Sequence, residues 1–459
     1  MLISGCATTA IDANLAEVQR LSRERLGAET KWLTSDEARQ QAQSYVDAAL
    51  AKPLSADDAV HIALAYSPAL QAALAEGMAL SAAATQSARL PNPVFTFERL
   101  ARGDGDPREL EISRMLSVPL LDLLLLPARL RQADHRQQQV RLRLAGDVVQ
   151  SATEARTAWV QAVAAQQSLV YFEQVKTAAD ASAELARRMH AAGNFSKLQQ
   201  ARQQAFYAEA VARLARAQQN AQSTHETLAR ALGLNEAQAA ALKLPERLPD
   251  LPAQPRDEQQ FKQAALGNRL DVALAKADLA YLAREQGLTR VSSIVNGLHL
   301  GLERNSESGQ PLQKGYELEV PLPIFDFGDA RRAQAQATYM AALNRTAAIG
   351  VQAASQLRQA YGTYRTAYDL ARHYRDEIVP LRKAISEQNL LRYNGMLIGV
   401  FELLADAREQ IGSVIQAIDA QRDFWLADAG RQATALGKPM VLPSLDPSAA
   451  TSSSEPASH

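Results

Sequence analysis

A single cysteine, Cys6, occurs in 459 residues, which excludes an intrachain disulfide framework and any zinc or iron–sulfur centre built from several thiolates. Aromatic residues make up only 5% of the chain and much of its apolar content is alanine, a composition that suits helices packed at close range. Neither sign of charge is in excess. With 49 Lys and Arg against 50 Asp and Glu there is no long-range field to gather nucleic acid, and no nucleic-acid partner is expected. Apolar runs are short as well: the longest candidate, 117–128, carries Asp122 and two prolines and falls below the roughly 18 uncharged residues that a spanning helix needs. Any part that crosses a membrane must then be β-barrel. The phosphate-cradling Gly-x-x-x-x-Gly-Lys-Ser/Thr loop, the Gly-x-Ser-x-Gly elbow and the His-Glu-x-x-His pair are all absent, and the seven histidines are scattered. No catalytic residue, metal or cofactor is expected. Gly103-Asp104-Gly105-Asp106 looks like the start of a calcium loop, but its downstream ligands are missing and a hairpin turn explains it.

What is present is a foldable composition, 47% hydrophobic and 22% charged, written as one unit twice. Val118-Pro119-Leu120 recurs as Val320-Pro321-Leu322, and 320 minus 118 gives 202; Gly193 and Gly395 stand at the same spacing. Leu232-Gly233 and Leu436-Gly437 close the halves. Between them, residues 245–256 hold Pro245, Pro249, Pro252 and Pro255 and read as an extended linker. The expected division is a segment 1–53, a first repeat 54–244, the linker, a second repeat 257–437 and a disordered Ser- and Pro-rich tail 438–459.

Each repeat reads helix, hairpin, long helix, break, helix. In the first, Ser55 with Asp58 three residues on caps an Ala-rich helix running to about Leu90, which Pro91-Asn92-Pro93 stops. A hairpin over about 93–118 follows, with Phe95 and Phe97 alternating with Thr96 and Glu98, then Leu110 and Ile112 with Glu111 and Ser113. Its counterpart spans about 292–321, where a strand over Val295–Glu303 turns Leu298, Leu300 and Leu302 one way, and Tyr316, Leu318 and Val320 then oppose Glu317 and Glu319. Such alternation suits a water-filled barrel and also a soluble hairpin with one covered face. Four strands are too few to close around water, so a membrane role requires several chains to share one barrel.

The long helices come next. Leu144, Val148, Ala152, Ala155, Trp159 and Ala162 are spaced four and three apart, a seam that packs against other helices. A helix from about Ala128 to His190 rises roughly 90 Å, taller than a compact domain needs. The counterpart runs from Asp329 to Tyr393, where Pro380 is expected to bend or break it; the first half has Ala178 at that place.

In this order, twice, these residues resemble the TolC-like outer-membrane efflux protein family from about Leu54 to Gly437. The pieces that carry the resemblance are Tyr66-Ser67-Pro68-Ala69-Leu70, Leu90-Pro91-Asn92-Pro93, and Val320-Pro321-Leu322-Pro323-Ile324-Phe325-Asp326-Phe327-Gly328. The resemblance implies a mainly α fold with a small β-barrel portion: a long α-helical barrel plus four membrane β-strands per chain, assembled as a homotrimer. It implies a passive outer-membrane channel of a tripartite efflux system, reaching into the periplasm, with a periplasmic adaptor (membrane fusion protein) and an inner-membrane pump as partners. Leu2-Ile3-Ser4-Gly5-Cys6 likewise resembles the lipobox of bacterial lipoproteins, where Cys6 carries the acyl chains that hold the protein on outer-membrane lipid; an incidental thiol is the other reading.

The resemblance also gives the helix breaks a role. The family's periplasmic tip carries a Gly-x-x-Ser pattern that an adaptor packs against. Gly193-Asn194-Phe195-Ser196 fits it, and Gly395-Met396-Leu397-Ile398 keeps the glycine without the serine. Physically, both glycines also suit the left-handed residue that a helical hairpin needs. Glu402 and Asp406, four apart on one helix face, match the acidic residues the family places where the closed tube narrows, and three copies would stack two carboxylate rings as a pore gate. A solvated face with Arg408 as counter-charge fits the same spacing. From a different class, a lipid-tethered periplasmic coiled-coil scaffold or adaptor without a pore would share the helices but has no need of two alternating hairpins.

Overall fold

The computed structural model describes residues 5–102, 109–292, 297–322 and 324–440. The hairpin turn at 103–107, the start of the strand expected from Val295 and most of the tail lie outside them. Two compact units are present, one made of residues up to Leu21, 73–145 and 270–352, the other of 22–72, 146–269 and the residues from Ala353.

Two helices, α1 (Gly5–Leu26) and α2 (Asp36–Leu50), precede the expected first helix, which is itself divided into α3 (Ala56–Tyr66) and α4 (Pro68–Ser87). Ser55 caps α3 by accepting from the Asp58 amide at 3.1 Å. The division falls at Ser67, whose ψ of 120° is the extended value that a following proline imposes on its neighbour. A continuous Ala-rich helix is thus overruled by one pyrrolidine ring.

The sheet lies in the first unit. Strands β1 (Val94–Arg102), β2 (Glu109–Pro119), β3 (His299–Glu307) and β4 (Gln313–Glu319) pair antiparallel in chain order, with β1 and β4 as open edges. β3 runs four residues later than the strand expected at Val295–Glu303. The Leu298 carbonyl is taken instead by the Leu120 and Leu121 amides at 2.7 and 3.3 Å, which ties the following helix to the sheet.

That helix, α5 (Leu120–Ala191), is 72 residues long, about 108 Å of rise. It starts eight residues before the expected Ala128 and continues through Pro127, which lacks the N–H that would bond back to Leu123. All six residues of the seam from Leu144 to Ala162 are buried. A five-residue break leads to α6 (Lys197–Leu232), followed by the six-residue α7 (Glu236–Ala241) and, after the Pro-rich linker, the 11-residue α8 (Glu258–Asn268).

The second half repeats this with α9 (Leu270–Ser292), α10 (Asp329–His373), α11 (Val379–Asn394) and α12 (Val400–Ala435). Pro380 does not break the helix. A π-turn over Tyr374–Ile378 joins α10 to α11, and the Val379 amide bonds back five residues to the Tyr374 carbonyl. This turn also resolves a discrepancy in the repeat. The spacing is 202 before it, but α6 and α12, both 36 residues long, start 203 apart (400 minus 197). A π-turn is how a helix absorbs one extra residue without losing its face.

The core of the second unit centres on Trp159, packed among Leu54, Ile62, Leu228, Leu232 and Leu248, its indole N–H donating to the Leu54 carbonyl at 2.7 Å. Beside it Tyr364, Tyr368, Phe424 and Trp425 form an aromatic run with centroids 5.0–5.7 Å apart. The Pro-rich linker is extended but docked on this run. Trp425 donates to the Pro249 carbonyl at 3.0 Å and the Tyr368 hydroxyl to the Pro252 carbonyl at 3.1 Å, while Leu248 and Leu251 are buried. Proline suits the place, because it offers a carbonyl and brings no amide to satisfy.

Candidate functional site

Three features bear on function: the two helical tips, the acidic start of α12 and the two faces of the sheet.

At the first tip Gly193 has φ of 79°, the left-handed conformation. The Gly193 amide donates to the His190 carbonyl at 2.9 Å and the Asn194 amide to the Met189 carbonyl at 2.8 Å, the paired bonds of a Schellman ending. Ser196 then starts α6 with a capping box: its hydroxyl accepts from the Gln199 amide at 3.3 Å, and the Gln199 side chain accepts from the Ser196 amide at 2.6 Å. Gly193 and Ser196 are each accounted for by the turn itself.

At the second tip the left-handed place falls one residue after the expected Gly395. Gly395 has φ of −81°, and the left-handed residue is Met396 at 58°, the single non-glycine with positive φ among the described residues. The Met396 amide donates to the Tyr393 carbonyl and the Leu397 amide to the Arg392 carbonyl, at 2.9 and 2.8 Å, so the same Schellman ending is displaced by one residue. The cause is the residue absorbed upstream at the π-turn. Met396 is 93% exposed, in a conformation that costs a residue with a side chain roughly 1–2 kcal/mol.

Glu402 lies in the first turn of α12 and is exposed; Asp406, one turn on, is 8% exposed and its Oδ2 has no hydrogen-bond partner among the described residues. The two carboxylates therefore meet different surroundings despite their spacing. Arg408 is exposed, and its guanidinium lies 4.4 Å from the centroid of the Phe206 ring. Glu409, which the sequence did not single out, pairs with Arg382 across α11 and α12. Cys6 lies in the first turn of α1, and its side chain is outside the described residues.

The sheet separates its chemistry by face. Register places Phe95, Leu116, Leu302 and Tyr316 side by side across all four strands, with Val118, Leu300 and Leu318 in the next row. These rings and methyls are largely exposed, Tyr316 at 79%. The opposite face carries Glu98, Glu111, Glu303, Glu307, Glu317 and Glu319. There the Glu303 carboxylate accepts from Asn305 at 2.7 Å and from Ser113 at 3.4 Å. No described helix is long and apolar enough to cross a membrane.

A mainly helical chain with a small antiparallel sheet of this kind has the TolC-like outer-membrane channel fold. It is similar to the Campylobacter jejuni CmeC outer membrane channel, with a TM-score of 0.72 at 13% identity over 84% of this chain and 86% of that one. The outer-membrane channel OprN gives 0.70 at 18% identity, over 89% and 94% of the two chains. The outer membrane protein VceC from Vibrio cholerae gives 0.70 at 15% identity, over 88% and 99%. No family model and no curated protein matches the sequence.

Proposed function

We propose that this protein is the passive exit duct of a tripartite efflux system, set in the bacterial outer membrane and extending into the periplasm. One observation carries the reading: an open-edged four-stranded sheet with an apolar face and a carboxylate face, continuous in sequence with a 72-residue helix. Lipid favours the apolar face and a water-filled lumen the acidic one. Because one chain leaves both sheet edges unpaired, three copies supplying four strands each close a single barrel, and edges left open would invite aggregation. The likeness in fold to outer-membrane channels supports the same assembly.

In this reading the chain has no catalytic residue. A periplasmic adaptor packs against the tips, at Gly193, Asn194 and Ser196 in the first and Gly395 and Met396 in the second, and an inner-membrane pump supplies the energy. The protruding Met396, held in a strained conformation, is the side chain best placed for such a contact. Glu402 and Asp406 form the gate: Glu402 faces solvent, and Asp406 gains hydration when α12 moves. The repeats 54–244 and 257–437, joined at 245–256, provide two copies of the wall. The segment 1–53 anchors the protein through acylated Cys6, and 438–459 is a tail, of which Lys438 pairs with Asp147 at 3.7 Å and residues from 441 lie outside those described.

Planar bilayers test the reading. Purified protein should insert as trimers that conduct ions, and a protein that stays monomeric and electrically silent would refute the duct.

A further inference from the structure

Beyond the apolar rows, toward the hairpin turns, the same face of the sheet carries a row that no ion pair among the described residues explains. Register sets Arg114 opposite Arg304 and Arg304 opposite Lys314, with Phe97 completing the row on β1. Arg99 stands one row further along, beside Ile112. Like charges directly opposite each other on one face destabilise a sheet. Here three cations stand in line, none with an ion-pair partner among the described residues, although the chain holds as many acids as bases. Arg304 and Lys314 are exposed and Arg114 is half-buried. Among the described strand residues, the carboxylates Glu98, Glu111, Glu303, Glu307, Glu317 and Glu319 stand on the opposite face.

We propose that Arg114, Arg304 and Lys314 form a binding site for the phosphates of an anionic lipid headgroup. The inference rests on the reading of this sheet as a membrane barrel. If the apolar rows face lipid, the cationic row lies about 7 Å beyond the row of Phe95, Leu116, Leu302 and Tyr316, at the edge of the apolar band where headgroups begin. Two guanidinium groups and an ammonium spaced at strand separation match a headgroup bearing more than one phosphate, because arginine meets phosphate through two parallel N–H bonds. Bound phosphate also removes the mutual repulsion of the row, so the lipid stabilises the sheet as the sheet holds the lipid. A phosphate-bearing lipid is favoured over free phosphate because an adjoining apolar band binds its acyl chains.

The test uses the full-length protein in nanodiscs of phosphatidylcholine, with or without diphosphorylated lipid A. Lipid A should raise the melting midpoint of the wild type. The triple variant Arg114→Gln, Arg304→Gln, Lys314→Gln should lose most of that rise while melting no lower than wild type in phosphatidylcholine alone, since it sheds like-charge repulsion. Lys314→Gln, on an edge strand, should lose part of the rise and serves if the triple variant does not fold. A rise undiminished in the variants, or absent in the wild type, overturns the site. An equal rise with inorganic phosphate in detergent overturns the assignment to lipid. Wild-type pores in planar bilayers separate the two failures: pores without the lipid effect remove this site alone, and no pores remove the membrane reading along with it.

Discussion

Met396 holds its backbone at φ of 58°, while Gly395 beside it, the residue able to do so without strain, sits at −81°. The tips therefore respond oppositely to similar changes. Gly193→Ala forces a side chain into the left-handed region and should cost about 1 kcal/mol. Gly395→Ala should be close to neutral, because an added Cβ would meet nothing nearer than 3.5 Å. Met396→Gly should stabilise by about 1 kcal/mol. Chemical denaturation of the three variants measures this, and a Gly395→Ala loss equal to that of Gly193→Ala would mean that Gly395 takes the left-handed place. Asp278 on α9 gives a pH-dependent counterpart. Burial raises its carboxyl above the ordinary value against the pull of Arg143 and Arg345, and its Oδ1 has no partner among the described residues. The folded state thus holds the proton more tightly than the unfolded one, and stability falls as pH rises through the raised value. Asp278→Asn should melt higher than wild type at neutral pH, with the advantage vanishing below the ordinary Asp range; a constant advantage at all pH values would exclude ionisation as the cause.

The π-turn over Tyr374–Ile378 is the element on which the symmetry of the halves depends. Deleting Arg375, an exposed-surface residue within it, removes the one extra residue and should leave a continuous α-helix with the melting midpoint nearly unchanged. Deleting Ala178 from α5, two residues past the place in the first half that matches the π-turn, has no π-turn to absorb it. It rotates the following residues by about 100° and should drive Val175, Ala179 and Ala210 apart, with loss of several kcal/mol. Equal damage from the two deletions would show that the π-turn is not an inserted residue. Much of this level was legible in the sequence, since the seam from Leu144 to Ala162 and the alternation around Phe95 and Tyr316 reflect periods of 3.6 and 2 that depend on local geometry alone. The break at Ser67 was legible too, in Pro68, but the surrounding alanines outweighed it. Passage through Pro127 and Pro380 was not, because whether a helix tolerates a missing bond depends on what holds it on either side.

At the scale of the whole molecule, the segregation of charge between sheet faces sets what a pore would pass. With Glu98, Glu303, Glu317 and Glu319 on one face and no lysine among them, reversal potentials across a salt gradient should show a preference for cations. Glu317→Gln with Glu319→Gln should weaken the preference, and Glu402→Gln should alter the closed-state current; insensitivity of the first pair would place that face away from the lumen, and of the second would remove Glu402 from the gate. By itself the sequence determined the hairpin-then-long-helix order that recurs at a spacing of 202 and the two chemistries of each strand, because these are fixed by spacing along the chain. Only the tertiary structure decided that β2 pairs with β3 across nearly two hundred residues, and that Met396 rather than Gly395 turns the second tip. It likewise aligned Arg114, Arg304 and Lys314 in one row, since strand register is set by contacts between distant segments whose spacing no local pattern records.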